Sequence, residues 1–155
     1  MTKKIIDASD LRLVAKLQTN ALATIEELGR AAGLSASSAQ RHVQRLRHQK
    51  VIIADVAVID PKALGFNLTM LVELEVESDK PDLQLALNRW IAKTPEIQNA
   101  WHITGRGDYM LSIIARSIEH FDELISALMQ QNPIVRKFTT SLALKTLKRS
   151  MAVPT

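Results

Sequence analysis

Between Arg30 and Lys50 the chain carries five Lys or Arg residues and no Asp or Glu. Ser35, Ser37, Ser38, Gln40, Arg41, Gln44 and Arg45 lie within this stretch. Hydroxyl, amide and guanidinium groups are the set that bonds phosphate oxygens and base edges. Ala39, Val43 and Leu46 recur at i, i+4 and i+7, so one stripe of a helix is buried and the polar groups lie off it. The chemistry on offer is recognition of a polyanion. A basic outer face also occurs on helices that are merely solvated. Here it coincides with a two-helix spacing, a tight turn and a complete lack of acids.

The elements that must position those groups are legible around them. Thr24 and Glu27 have capping-box spacing, which predicts a helix from Ile25. Gly33 suits the left-handed residue that ends it. Ser35 can then cap the basic helix through a first-turn N–H. Upstream, Ile6–Gln18 carries Leu13, Val14 and Leu17 behind Asp7, Ser9 and Asp10, the arrangement of a helix start. Three helices before Lys50 are the minimum for a winged-helix-like helix-turn-helix unit with its own core. Val51–Ile59 is β-branched and apolar and predicts a strand, ended by Asp60-Pro61. The expected division is a DNA-binding domain over residues 1–60 and a second domain over residues 61–155.

Composition bounds the function classes. The 155 residues are 46% hydrophobic with a formal charge of +4, and the mean hydropathy is zero with a pI near 9.6. Residues 1–60 hold nine Lys or Arg against six acids; residues 61–155 hold eleven against ten. The excess sits with the basic helix, as a polyanion partner requires. With no cysteine, disulfides, thiolate metal sites and cysteine nucleophiles are excluded. Met1–Lys4 is basic, but Asp7 and Asp10 interrupt what would be the apolar core of a signal peptide. No run approaches a membrane span. A cytoplasmic, nucleoid-associated protein without membrane partner, metal or cofactor is expected.

After Pro61 the period changes. Leu68, Met70, Val72, Leu74 and Val76 alternate with polar residues, as in a strand with one apolar face. Leu83, Leu87, Trp90 and Ile91 follow Pro81 at helical spacing. Ile97–Thr104 and Tyr109–Ala115 read as strands around the turn Gly105-Arg106-Gly107-Asp108. Phe121, Leu124, Ile125 and Leu128 form a second helical stripe, and Ile134–Leu147 reads as a long final strand. The fold class is α+β: a helix-turn-helix followed by βαββαβ, a ferredoxin-like arrangement. Both helices cover one sheet face. The other is expected to expose apolar groups from Leu68–Val76, Tyr109–Ala115 and Phe138–Leu144, which favours a dimer.

The Gly105–Asp108 turn has two readings. It is a hairpin that needs glycine for backbone reasons, or its N–H groups and the Asp108 carboxylate receive a small zwitterion. Tyr109 reads as a packed strand residue, and Trp90 and Trp101 as core or interface. His42 and His48 are six apart, and His102 and His120 lie elsewhere, so no pair has zinc-ligand spacing.

The order of motifs resembles the Lrp/AsnC (feast/famine) family of transcription regulators over about residues 5–149. The markers are Ile6-Asp7-x-x-Asp10 with Leu13-Val14-x-x-Leu17-Gln18; Glu27-Leu28 through Gly33-Leu34-Ser35 and Arg41-x-Val43-x-Arg45-Leu46; Thr104-Gly105-x-x-Asp108-Tyr109; and Thr140-Ser141-Leu142 ending at Lys145 and Lys148. The resemblance implies dimerisation through the βαββαβ domain, assembly to octamers or higher, and a roughly palindromic double-stranded DNA site. It also implies a small effector, usually an amino acid, between dimers near Gly105, Arg106, Gly107, Asp108 and Tyr109. Thr139 and Thr140 would add hydroxyl contacts. The family often has Pro at Ala36 and Ser38, an aromatic residue at Gly107 and Thr at Phe138. Gly107 is therefore expected to shrink a pocket wall and loosen the loop.

Two other readings stand beside it, the first of them sharing this two-domain layout. One is a siroheme-type haem-biosynthesis decarboxylase subunit, with a tetrapyrrole between domains. The other is a nucleoid-type architectural protein. An enzyme has no need of the basic face at Arg41, Gln44 and Arg45, and the amides Gln40 and Gln44 favour sequence preference. The expected protein is a DNA-binding regulator, not an enzyme.

Overall fold

The computed structural model describes residues 6–77 and 80–155; the basic Met1–Lys4 segment lies outside the described residues. One compact unit runs to Val58 and takes in Lys148–Thr155, and the other is Ile59–Leu147.

The first unit contains α1 (Ala8–Thr19), α2 (Ile25–Ala32) and α3 (Ala36–His48). Each begins at a side-chain cap. Asp7 and Asp10 cap each other's backbone, as do Thr24 and Glu27, and Ser35 accepts from Ser38 N–H. Gly33 ends α2 at φ 70°, a left-handed conformation that costs glycine little. Gly29 permits the tight approach of α3: a Cβ there would lie 2.8 Å from the Leu34 carbonyl oxygen. Leu13, Leu28, Ala32, Ala39 and Val43 form the core. The Gln18 amide exchanges two hydrogen bonds with the Val153 backbone, at 2.9 and 2.6 Å. The final eight residues thus pack with the first unit, whereas the expected division put them in the second.

The strand expected over Val51–Ile59 is not formed. Ile53, Val56 and Val58 are exposed. β-branched residues favour a strand only where a neighbouring strand takes up their N–H and C=O groups; among the described residues no strand pairs with this segment, and the Val51 and Ile52 N–H groups turn back to the Leu46 carbonyl.

The second unit opens with a 3₁₀ turn at Pro61–Leu64. It continues as β1 (Leu68–Val76), α4 (Pro81–Lys93), β2 (Ile97–His102), β3 (Tyr109–Ala115), α5 (Ile118–Gln131) and β4 (Val135–Leu142). The sheet is antiparallel in the order β2-β3-β1-β4, so the ferredoxin-like expectation is met. The last strand is shorter than Ile134–Leu147. Ala143 N–H still reaches the Thr69 carbonyl, but β1 starts at Leu68 and offers nothing to pair beyond it; Leu144 and Leu147 are exposed.

Met70, Val72, Leu74, Tyr109, Leu111 and Ile113 turn to the helices, where they meet Leu87, Phe121, Ile125 and Leu128. Alternation puts Thr69, Leu71, Glu73, Met110, Ser112 and Ile114 on the opposite face. Trp101 joins them beside Met110. The uncovered face is therefore mixed, and less apolar than the expectation, which had counted residues of both faces.

Candidate DNA and effector sites

Helix α3 presents Ser37, Gln40, Arg41 and Gln44 to solvent, with Ser38 half-buried. Ser35 serves mainly as the cap, and its hydroxyl lies 3.3 Å from that of Ser37. Ala39, Val43 and Leu46 are buried as their spacing required. The N-terminus of the helix is held between the Ser35 cap and the Gly29 close approach, so its first turns are fixed against α2.

Arg45 departs from its expected role on the free outer face. Its Nη2 donates to both oxygens of Asp10, at 2.7 and 2.6 Å. Asp10 is fully buried, and His42 Nδ1 lies 2.9 Å from its Oδ1. Burial opposes ionisation of Asp10, but the Asp7 backbone N–H, His42 and Arg45 outweigh it and hold the carboxyl below the usual range. Sequence periodicity could not find this triad, because Asp10 reads equally well as a first-turn acid. One possible ligand atom from each of Asp7, Asp10 and His42 gathers within 4.8 Å. The Arg45 guanidinium already supplies the cation there and would repel a metal ion. Arg47 is also engaged, through Asp55 at 3.0 Å. Arg41 is thus the cation most available on the central outward face.

In the second unit, Gly105 takes φ 138°, a conformation L side chains rarely adopt. Arg106 is exposed and Gly107 is buried. A Cβ on Gly107 would stand 2.4 Å from Glu73 Cγ. Gly107 is expected from sequence to loosen the loop; in the fold its lack of a Cβ lets the Glu73 side chain lie across it. Asp108 clasps β1. Its N–H donates to the Leu74 carbonyl at 2.8 Å, and its Oδ2 accepts from Val76 N–H at 2.8 Å, next to the irregular register at Glu75/Val76. One carboxylate oxygen is thereby committed to the fold.

Tyr109 is a core residue, buried beside His102 with ring centroids 4.9 Å apart. Burial raises its phenol above the ordinary range, with the Asp108 charge adding to that and an Asn88 hydrogen bond opposing it. Thr139 and Thr140 do not converge. They pair with Glu73 and Val72, which face opposite sides of the sheet, so within one chain the two side chains point to opposite faces. A groove of about 540 Å³ does open nearby, between α4 and the edge strand β2, lined by Asn88, Ile91, Trp101, His102 and Tyr109 among others. Asn88 and His102 had not been singled out as ligands; they become neighbours only when α4 packs along β2.

Among the described residues, no helix is long and apolar enough to cross a membrane. Residues 6–47 match the AsnC-type helix-turn-helix domain, and residues 69–153 match the Lrp/AsnC ligand binding domain. An uncharacterized HTH-type transcriptional regulator of Sinorhizobium fredii, y4tD, is 32% identical over 96% of this chain and 88% of its own. The leucine-responsive regulatory protein of Haemophilus influenzae is 27% identical over 95% and 89%. Among solved structures, a feast or famine regulatory protein from M. tuberculosis complexed with L-methionine has a TM-score of 0.85 at 26% identity, covering 96% of this chain and 99% of that one. A Neisseria meningitidis transcriptional regulator has a TM-score of 0.90 at 22% identity, covering 97% of both chains.

Proposed function

Because the chain belongs to the Lrp/AsnC family of DNA-binding transcription regulators, we propose that α3 enters the major groove and reads DNA through Ser37, Gln40, Arg41 and Gln44. The observation that carries this is the exposed, acid-free face of α3, anchored at its N-terminus by Ser35 and Gly29. Arg41 and Gln44 suit guanine and adenine edges, and Ser35, Ser37 and Ser38 suit phosphates. Arg45 contributes at the flank, with its charge partly spent on Asp10.

The regulator acts in the cytoplasm on double-stranded DNA and is controlled by a small metabolite of amino-acid type. The L-methionine complex of the M. tuberculosis neighbour supports that ligand class. The groove beside Asn88, His102 and Tyr109 is large enough for such a molecule, and Gly105–Asp108 lies next to it in the chain. The chain pairs with a second copy through the open sheet face, and two copies read a roughly palindromic site.

Gel mobility shift against the DNA flanking the gene tests the central claim. Arg41→Ala should weaken binding at least tenfold, matching about 1–3 kcal/mol for a lost guanine contact. Far-UV dichroism should stay unchanged. Wild-type affinity in Arg41→Ala and in Gln44→Ala would remove α3 from the interface.

A further inference from the structure

We propose that His42 is a DNA-phosphate contact of α3 and that Asp10 is its positioning residue, a proposal that rests on the reading of α3 as the DNA-facing helix. A carboxylate only accepts hydrogen bonds. The 2.9 Å contact between Asp10 Oδ1 and His42 Nδ1 therefore requires a proton on Nδ1. Arg45 Nη2 approaches the same Nδ1 at 3.3 Å; these are two donors converging on one acceptor, not a bond between them. With Nδ1 committed inward, Nε2 lies on the other side of the ring. The His42 side chain keeps 24% of its exposure while Asp10 has none. On the same helix Arg41 precedes it, Ser38 stands one turn earlier and Arg45 nearly one turn later.

The protonation state of Nε2 decides what it does. A neutral ring presents a lone pair to a phosphate oxygen and gains nothing. A protonated ring donates a charge-assisted hydrogen bond. The charged groups around the ring are Asp10 and Asp7 from α1 and Arg45 on its own helix. Among the described residues, no group of α2 bonds to it. DNA affinity should thus carry a pH-dependent contribution that belongs to His42, and Asp10 keeps the ring aimed for it.

The experiment is fluorescence anisotropy of the full chain with a duplex of arbitrary sequence, over a salt series at pH 6 and pH 8. Each neutralised phosphate adds about 0.9 to the slope of log K against log salt. The wild type should show a slope steeper by about that amount at pH 6. His42→Gln should erase most of this difference. His48→Gln, which alters the other histidine of α3, should keep it. Asp10→Asn, with folding checked by dichroism, should also lose the pH difference. A full pH difference surviving in His42→Gln, or no difference in the wild type, overturns the proposal. Arg41→Ala separates the two failures: if it binds like the wild type, the DNA-facing reading of α3 has failed and His42 falls with it. If it weakens binding while His42→Gln changes nothing, only the His42 proposal has failed.

Discussion

Asp10 and Arg45, thirty-five residues apart, meet with one guanidinium nitrogen 2.7 and 2.6 Å from the two carboxylate oxygens. The pair ties the first turn of α1 to the last turns of α3. It is asymmetric: the Asp10 side chain is wholly buried, while Arg45 keeps 37% of its exposure. Removing one partner therefore has different consequences from removing the other. Arg45→Ala leaves a buried carboxylate with only His42 and its helix cap. Asp10→Ala leaves a cation that water can reach. Both should destabilise the first unit, Asp10→Ala by about 1–3 kcal/mol, and Arg45→Ala should be the worse. Urea denaturation of the two variants checks the order. Equal midpoints would show that burial of Asp10 does not govern the pair. Loss of DNA binding in Arg45→Ala must accordingly be judged beside its stability.

Acid should loosen the same unit. The folded-state pKa of Asp10 is depressed, so its stabilising contribution is present above the ordinary aspartate value, about 3.9. It is lost as pH falls through the lower folded value. Thermal melts from pH 6 downward should show a steep loss below about pH 4. The Asp10→Asn variant, starting from a lower melting temperature, should lose less over that range. Parallel pH curves for the two proteins would contradict the assignment.

Gly107 and Glu73 should be coupled. Adding a methyl group at Gly107 drives Glu73 from its place, and overpacking of this kind costs about 1–3 kcal/mol. In a Glu73→Ala background the three atoms nearest that methyl group, all of the Glu73 side chain, are gone. A double-mutant cycle should therefore give a coupling energy of at least about 0.5 kcal/mol. Strict additivity would mean that Glu73 does not lie across the loop in solution.

Assembly is read from the open sheet face. Leu71 and Trp101 are 42% and 51% exposed there, with the half-buried Met110 on the same face. Covering apolar area gains roughly 25 cal/mol per Å². Light scattering at micromolar concentration should give a multiple of 17.3 kDa, and Leu71→Lys should lower it. A wild-type mass of one chain would remove the sheet-to-sheet dimer.

Effector binding should depend on the groove. His102→Ala should reduce the calorimetric heat for whichever amino acid binds, while binding of ligand-free protein to DNA stays near wild type. Asp108→Ala is a poorer probe, because it also removes the acceptor for Val76 N–H. No heat from any of the twenty amino acids with the wild type would end the amino-acid reading.

The sequence by itself determined every feature set by neighbours in the chain. Capping pairs such as Thr24 with Glu27, the left-handed Gly33 and the buried stripe Ala39, Val43, Leu46 depend on residues within two turns. The βαββαβ order was likewise legible, because period two and period 3.6 differ over a few residues. Tertiary structure decided what depended on partners far along the chain. Asp10 reads locally as a helix-start acid, and only the packing of α3 turns it into the anchor of Arg45 and His42. Val51–Ile59 has the composition of a strand, but among the described residues no strand pairs with it. Thr139 and Thr140 are adjacent in sequence, yet the pleat sends them to opposite faces. The physical reason is common to all three: local conformation follows from backbone sterics and nearby side chains, whereas burial, ion pairing and strand pairing depend on which distant groups the fold brings into contact.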